Sequence, residues 1–161
     1  ILVAAMNPYR GSEDGTTDLA RAMQQTYKDK ISGPILDRID LWIEVPHVSY
    51  ETFTEKVRNN HETKEARTAI KAARARQAAR LKDRGIRTNA SMTSRDIEDT
   101  ISLSPEVETL LKSSAAKLNL SPRSYHRLIK VAQTIADIEG SEIITKAHLL
   151  EALQYRVRLS I

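Results

Sequence analysis

Chemistry in this chain rests on cationic, amide and carboxylate side chains, because its 161 residues include no cysteine. Disulfides, Cys-containing zinc sites and thiol catalysis are excluded together. His47, His61, His126 and His148 show neither H-E-x-x-H nor any other close metal-ligand spacing, so they read as surface or core residues and no metal site is expected. No G-x-S-x-G elbow occurs, and Gly11, Gly15, Gly33, Gly85 and Gly140 cannot make the G-x-x-x-x-G-K-[ST] phosphate loop. An apolar strand ending in Asp-Glu, which would hold Mg²⁺, is also missing. What remains is a set of arginines and one well-placed amide. Asn7 closes an apolar run, Arg38 lies between Asp37 and Asp40, and Arg123, Arg127 and Lys130 fall at i, i+4 and i+7. Residues 64–87 hold nine Lys or Arg against Glu65 and Asp83. Such a stripe can neutralise phosphates, so this helix could lie along DNA through Arg74, Arg76 and Arg80, or against an acidic neighbouring subunit. Its charge wraps around the helix, so a solvated Ala-rich connection is an equal reading. Aromatic residues are 4% of the chain, too few for a dedicated single-strand binding module.

The elements that must position these groups are mostly helical. Residues 1–6 are uninterrupted apolar sequence ending at Asn7-Pro8, which reads as a strand buried on both faces of a parallel sheet. Residues 41–45, ended by Pro46, are the other strand candidate. Two strands do not make a stable sheet, so the chain is expected to be a piece of a longer protein. A short amphipathic stretch at 50–57 precedes a long helix over about 63–84, stopped by Gly85. Four compact helices follow. Thr93 with Asp96 resembles a capping box, Ser104-Pro105 and Ser121-Pro122 place a cap before a first-turn proline, and Thr145 caps the last helix. Tyr125, Leu128, Ile129, Ala132, Ile135 and Ala136 form one apolar stripe. Val107, Leu110, Leu111, Ala115 and Leu118 form a second, and Leu149, Leu150, Leu153 and Val157 a third. Together these stripes predict a helical bundle over about 91–161. The composition, 40% apolar and 29% charged with a formal charge of +4, is that of a globular protein, and no apolar run approaches the ~20 residues of a spanning helix. A reducing cytoplasm is the expected location and no membrane partner is expected.

Specific blocks then carry a resemblance. Leu2-Val3-Ala4-Ala5-Met6-Asn7-Pro8 looks like a strand ending in the sensor-1 asparagine of AAA+ proteins. Ile31-Ser32-Gly33-Pro34-Ile35-Leu36-Asp37-Arg38-Ile39-Asp40-Leu41 resembles the arginine-finger block of the magnesium-chelatase-like AAA+ ATPases, the ComM/YifB competence-protein group. Gly85-Ile86-Arg87-Thr88-Asn89-Ala90, Thr134-Ile135-Ala136-Asp137 and Glu151-Ala152-Leu153-Gln154-Tyr155-Arg156 resemble its C-terminal region. The segment after Asn7-Pro8 departs from the pattern, since many members carry a cysteine cluster there and this chain has Tyr9-Arg10-Gly11-Ser12.

The resemblance implies a mainly α fold: a helical lid at 91–161, a basic helical connection at 49–90, and the last strands of an α/β nucleotide-binding domain at 1–48. It implies that Asn7 orients the attacking water or a γ-phosphate oxygen, against the plainer reading of a turn residue ending a strand. It implies that Arg38 projects into a neighbouring subunit's ATP site as an arginine finger, against a local salt bridge with its flanking aspartates. Arg123, with Arg127 beside it, takes the sensor-2 role toward the nucleotide, against solvated surface charge. A cation in the first turn opposes the helix dipole, and an anionic ligand would relieve this. The family's cofactors are ATP and Mg²⁺ in the intact protein, with none expected for this portion alone, which lacks both Walker motifs. A homo-oligomeric ring is implied, acting on DNA undergoing recombination or branch migration or, as the lesser alternative, on a metal-insertion partner, with a non-enzymatic DNA-binding or adaptor module as the rival reading.

Overall fold

The computed structural model describes residues 1–5, 38–43, 45 and 60–156, and the chain divides into two compact units, Ile1–Ile39 and Asp40–Ile161. Helix α1, Asn60–Arg80, is rich in alanine, arginine and lysine and therefore has high intrinsic helix propensity. Its burial is confined to one end. Described residues before Ala73 are exposed or half-exposed, whereas Ala73, Gln77 and Leu81, spaced by four, are buried. The α-helical bonding stops at Arg80, earlier than the glycine. A 3-10 turn at Lys82–Arg84 leads to Gly85, whose φ of +67° is the left-handed cap expected of it.

A second 3-10 turn, Asn89–Ser91, precedes the four compact helices: α2, Ser94–Thr100; α3, Pro105–Lys117; α4, Pro122–Glu139; and α5, Lys146–Gln154. Each starts where its cap is written. Thr93 and Asp96 form a reciprocal capping box, Ser104 accepts from the Val107 N–H, and Ser121 accepts from the Ser124 N–H at 3.2 Å. Thr145 accepts from the His148 N–H, and His148 Nδ1 accepts in return from the Thr145 N–H at 3.0 Å. Here histidine fills the place usually taken by Glu or Gln.

Helix α4 is the centre of the bundle, with α1, α2 and α5 packed on it. Leu128, Ile129, Ala132, Ile135 and Ala136 are buried and Tyr125 is half-buried, as the stripe predicts. Leu111 and Val107 of α3, Leu149 of α5, Ile144 and Leu81 complete the core. The stripe of α3 ends earlier than expected, with Leu118 exposed, and that of α5 is shifted: Leu150 is exposed, and Ala152 and His148 are buried beside Leu149 and Leu153. Val157 and the stretch 50–57 lie outside the described residues.

The protein is mainly α. Among the described residues there is no strand, only an isolated parallel bridge between Leu103 and Ile144, and most of the stretch 1–48 expected to hold the last strands lies outside them. Ile1, Leu2 and Val3 are fully exposed, and so are Ile43 and Val45 to more than two thirds. A strand's ladder bonds come from a neighbouring strand, so an apolar run alone cannot supply them.

Candidate functional site

Two clusters of polar side chains occupy opposite ends of α4. The first is built on its N-terminal turns. Ser121 caps the helix, Pro122 opens it, and Arg123 stands exposed in a first turn that holds no acidic residue. One turn later, Arg127 Nε donates to Asp40 Oδ1 at 2.9 Å, and only 15% of the Arg127 side chain is accessible. Lys130 follows on the same face and donates through Nζ to the Ala90 carbonyl at 3.2 Å. Burial pushes the Lys130 ammonium below its ordinary value, as do the charges of Arg127 and Arg123, against the opposing pull of Asp40 and Asp96. Three cations thus share a face, and Asp40, far away in sequence, meets it at Arg127. The backbone beyond Asp40 is fixed as well: the Trp42 N–H donates to the Tyr155 carbonyl at 2.8 Å, past the end of α5.

The second cluster surrounds Asp137, near the C-terminal end of α4. Its carboxylate is fully buried and takes four hydrogen bonds. Oδ1 accepts from Arg80 Nη1 at 2.8 Å and from Gln133 Nε2 at 3.2 Å. Oδ2 accepts from Arg80 Nη2 and from Asn89 Nδ2, each at 2.8 Å. Asn89 Oδ1 accepts from Arg80 Nη2 at 2.9 Å, and the second Asn89 amide hydrogen goes to Thr134 Oγ1 at 3.0 Å. Arg76 Nη1 donates to the Asp137 carbonyl at 2.8 Å. Burial pushes the Asp137 carboxyl upward, but the hydrogen bonds from Arg80, Asn89 and Gln133 and the charge of Arg80 outweigh it and hold the group below its ordinary value. The segment carrying Asn89 and the segment 134–137, two blocks singled out in sequence, are therefore one side-chain network.

The residues expected to do chemistry are placed unequally. Asn7 lies outside the described residues. Arg38 is exposed, in the first unit. Arg123 and Arg127 share the cationic face of α4. Arg74, Arg76 and Arg80 do not form one outward stripe: Arg80 is turned into the Asp137 network and Arg76 reaches its backbone, whereas Arg74 is exposed. Lys64, Arg67, Lys71 and Arg74, all exposed, are instead spaced along one helical face. Among the described residues, no group of three or more His, Asp or Glu could hold a metal ion, and no helix is long and apolar enough to cross a membrane.

Sequence reasoning missed Asp40, Asn89 and Asp137 as organising residues. A usable signal existed for Asp137, a carboxylate directly following the apolar stripe of α4. None existed for Asp40, whose partner lies 87 positions away.

A family model described as magnesium chelatase, subunit ChlI C-terminal, matches residues 60–156, and one described as magnesium chelatase, subunit ChlI, matches residues 1–53. The competence protein ComM of Haemophilus influenzae is 37% identical over 157 residues, covering 96% of this chain and 30% of that protein. The YifB protein of Escherichia coli is 38% identical over 162 residues, with the same coverage of 96% and 30%. The YifB protein of Salmonella typhimurium is 35% identical, again over 96% of this chain and 30% of its own length. The chain thus spans about 30% of the length of the curated relatives it matches.

Proposed function

This chain belongs to the magnesium chelatase ChlI family, and on that premise we propose that it is the nucleotide-sensing and lid portion of an AAA+ ATPase that works as a ring. The observation that carries this reading is the N-terminal face of α4, where Arg123 stands exposed beside Arg127 and Lys130 in a first turn free of carboxylates. A nucleoside triphosphate fits this face. The helix N-terminus carries partial positive charge, the first-turn cation adds a full one, and a γ-phosphate would relieve the repulsion between them. ATP is the substrate. Because the sequence has no G-x-x-x-x-G-K-[ST] loop, the phosphate cradle and the Mg²⁺ ligands have to come from elsewhere in the full-length protein.

Phosphoryl transfer requires an in-line water and neutralised phosphoryl oxygens rather than covalent help. In this assignment the Asn7 amide orients the water or an oxygen of the γ-phosphate, and Arg123 binds that phosphate from the lid. Arg38 enters the neighbouring subunit's site, where a guanidinium held in place neutralises charge that develops as the bond breaks. The bundle around α4 then moves with nucleotide state and transmits it to DNA undergoing recombination or branch migration. The test uses the full-length protein, with Arg38→Ala mixed into wild-type subunits. Turnover should fall more steeply than the fraction of mutant subunits, and undiminished turnover rejects the finger. Arg123→Ala should weaken nucleotide binding directly.

A second reading, a DNA-binding or adaptor module without ATP chemistry, is favoured by one observation, the exposed row Lys64, Arg67, Lys71 and Arg74. It predicts salt-dependent DNA binding by this chain, with the slope of log affinity against log salt reduced by about 1 for each of these cations neutralised. Arg80→Ala should leave that slope unchanged, because its guanidinium already faces Asp137.

A further inference from the structure

Helix α1 is fastened at one end only. Ala73, Gln77 and Arg80 seat its C-terminal half on the bundle, whereas residues 62–72, about 16 Å of helix, are exposed or half-exposed. Within that arm Ile70 is 52% exposed, and Arg67 and Arg74, three positions before it and four after, flank it on the same face. Ala66, one turn before Ile70, carries too little bulk to hold an approaching surface away. The reverse pattern lies between α2, α3 and α4. Ile97, Ile101, Leu103 and Ile129 floor a groove of about 310 Å³, and its two carboxylates are Glu98 of α2 and Glu108 of α3, both exposed. Glu108 holds Lys112 at 2.6 Å through one oxygen, Oε1. One surface of the chain therefore reads cation, aliphatic, cation, and another reads acid, aliphatic floor, acid.

We infer that the exposed half of α1 docks in the α2–α3–α4 groove of a second copy of this chain, with Ile70 against the apolar floor and Arg67 and Arg74 toward Glu98 and Glu108. The two surfaces differ, so the contact is head-to-tail: every copy offers one arm and one groove, and such contacts close into a ring where the rotation between copies allows it. The interface lies wholly within the helical unit. It needs no nucleotide and no nucleotide-binding domain, and it is independent of the roles of Asn7, Arg38 and Arg123. Exposed ion pairs are individually weak and screened by salt, so the charges set partner and register while the aliphatic contact adds burial. A second copy and DNA compete for the same two arginines.

Two charge-reversed variants test the docking: Arg67→Glu with Arg74→Glu on the arm, and Glu98→Lys with Glu108→Lys in the groove. All four positions are exposed, so circular dichroism should show unchanged helix content. In sedimentation without nucleotide, the unaltered chain should associate at low salt and fall to single copies at about 1 M salt, where the screening length is about 3 Å. Each variant alone should associate at least about tenfold more weakly, because like charges then face each other. Ile70→Ser, which keeps every charge, should weaken association as well. An equal mixture of the two charge-reversed variants should recover it, since each arm again meets a groove of opposite sign. An unaltered chain that stays single at low salt overturns the docking, as does a groove variant that associates like the unaltered chain or a mixture no better than its components. If the chain stays single yet binds duplex DNA through Arg67 and Arg74, the arm serves DNA and the docking is likewise overturned. Each of these failures leaves the ATPase reading standing, because Arg38→Ala in mixed rings tests that separately.

Discussion

Arg80 grips Asp137 with two parallel hydrogen bonds, Nη1 to Oδ1 and Nη2 to Oδ2, both 2.8 Å long, across 57 positions of sequence. This fork-to-fork pairing fixes both the distance and the orientation of α1 on α4. Asn89 closes the arrangement by bonding both partners, so the turn between α1 and α2 is locked to the same point. The Asp137 side chain is 1% accessible and that of Arg80 21%, so neither can exchange its partner for water without a structural change.

Removing one side of this pair should be costly. Asp137→Ala leaves the Arg80 guanidinium partly buried without its counter-ion and should destabilise the protein by about 3 kcal/mol in urea unfolding. Arg74→Ala, on an exposed position of the same helix, should change stability by less than about 0.5 kcal/mol. Equal effects for the two would show that the network does not hold α1 to the bundle.

The same carboxylate gives a pH signature. Its folded value is lowered relative to about 3.9 in the unfolded chain, so the unfolded state binds the proton more readily. The stabilisation is therefore complete above about pH 4 and is lost as the pH falls from there through the folded value. The stability difference between wild type and Asp137→Asn, followed by urea titrations from pH 7 down to pH 3, should be flat at first and shrink only in the acid range.

Gly140 and Gly85 separate backbone strain from crowding. Both have positive φ, +85° and +67°, which an L side chain adopts only with strain. A Cβ at Gly85 meets nothing within 4 Å, whereas at Gly140 it would lie 3.0 Å from Arg76 Nη2. Gly85→Ala should cost about 1 kcal/mol. Gly140→Ala should cost more, about 2 kcal/mol, because Arg76 must move away from the Asp137 carbonyl. Thermal denaturation of the two variants measures the difference.

His148 is buried with both ring nitrogens in use: Nδ1 accepts from the Thr145 N–H at 3.0 Å, so Nε2 carries the hydrogen and donates to Glu139 at 2.7 Å. His148→Ala should destabilise by about 2 kcal/mol through loss of the cap and of the bond to α4. Gln, a residue that fills this place in ordinary capping boxes, should recover about half of the loss. A Gln variant no better than Ala in chemical denaturation would show that packing of the ring, rather than capping, is what matters.

Much of this protein was legible from its residues alone because the interactions involved are short in sequence. Thr93, Ser104, Ser121 and Thr145 each cap a helix through a backbone N–H three residues on, so the helix starts are written locally. The stripe of α4 follows from a 3.6-residue period, and it buried as that period requires. The family blocks were readable for a similar reason, being contiguous runs. Tertiary structure alone decided which cations face solvent. Arg74, Arg76 and Arg80 look alike in a basic helix, yet Arg80 faces a carboxylate 57 positions away and Arg74 faces water. It also brought Asp40 to Arg127. An ion pair or a strand ladder depends on a partner that folding must deliver, and the local chain carries no record of which partner that will be.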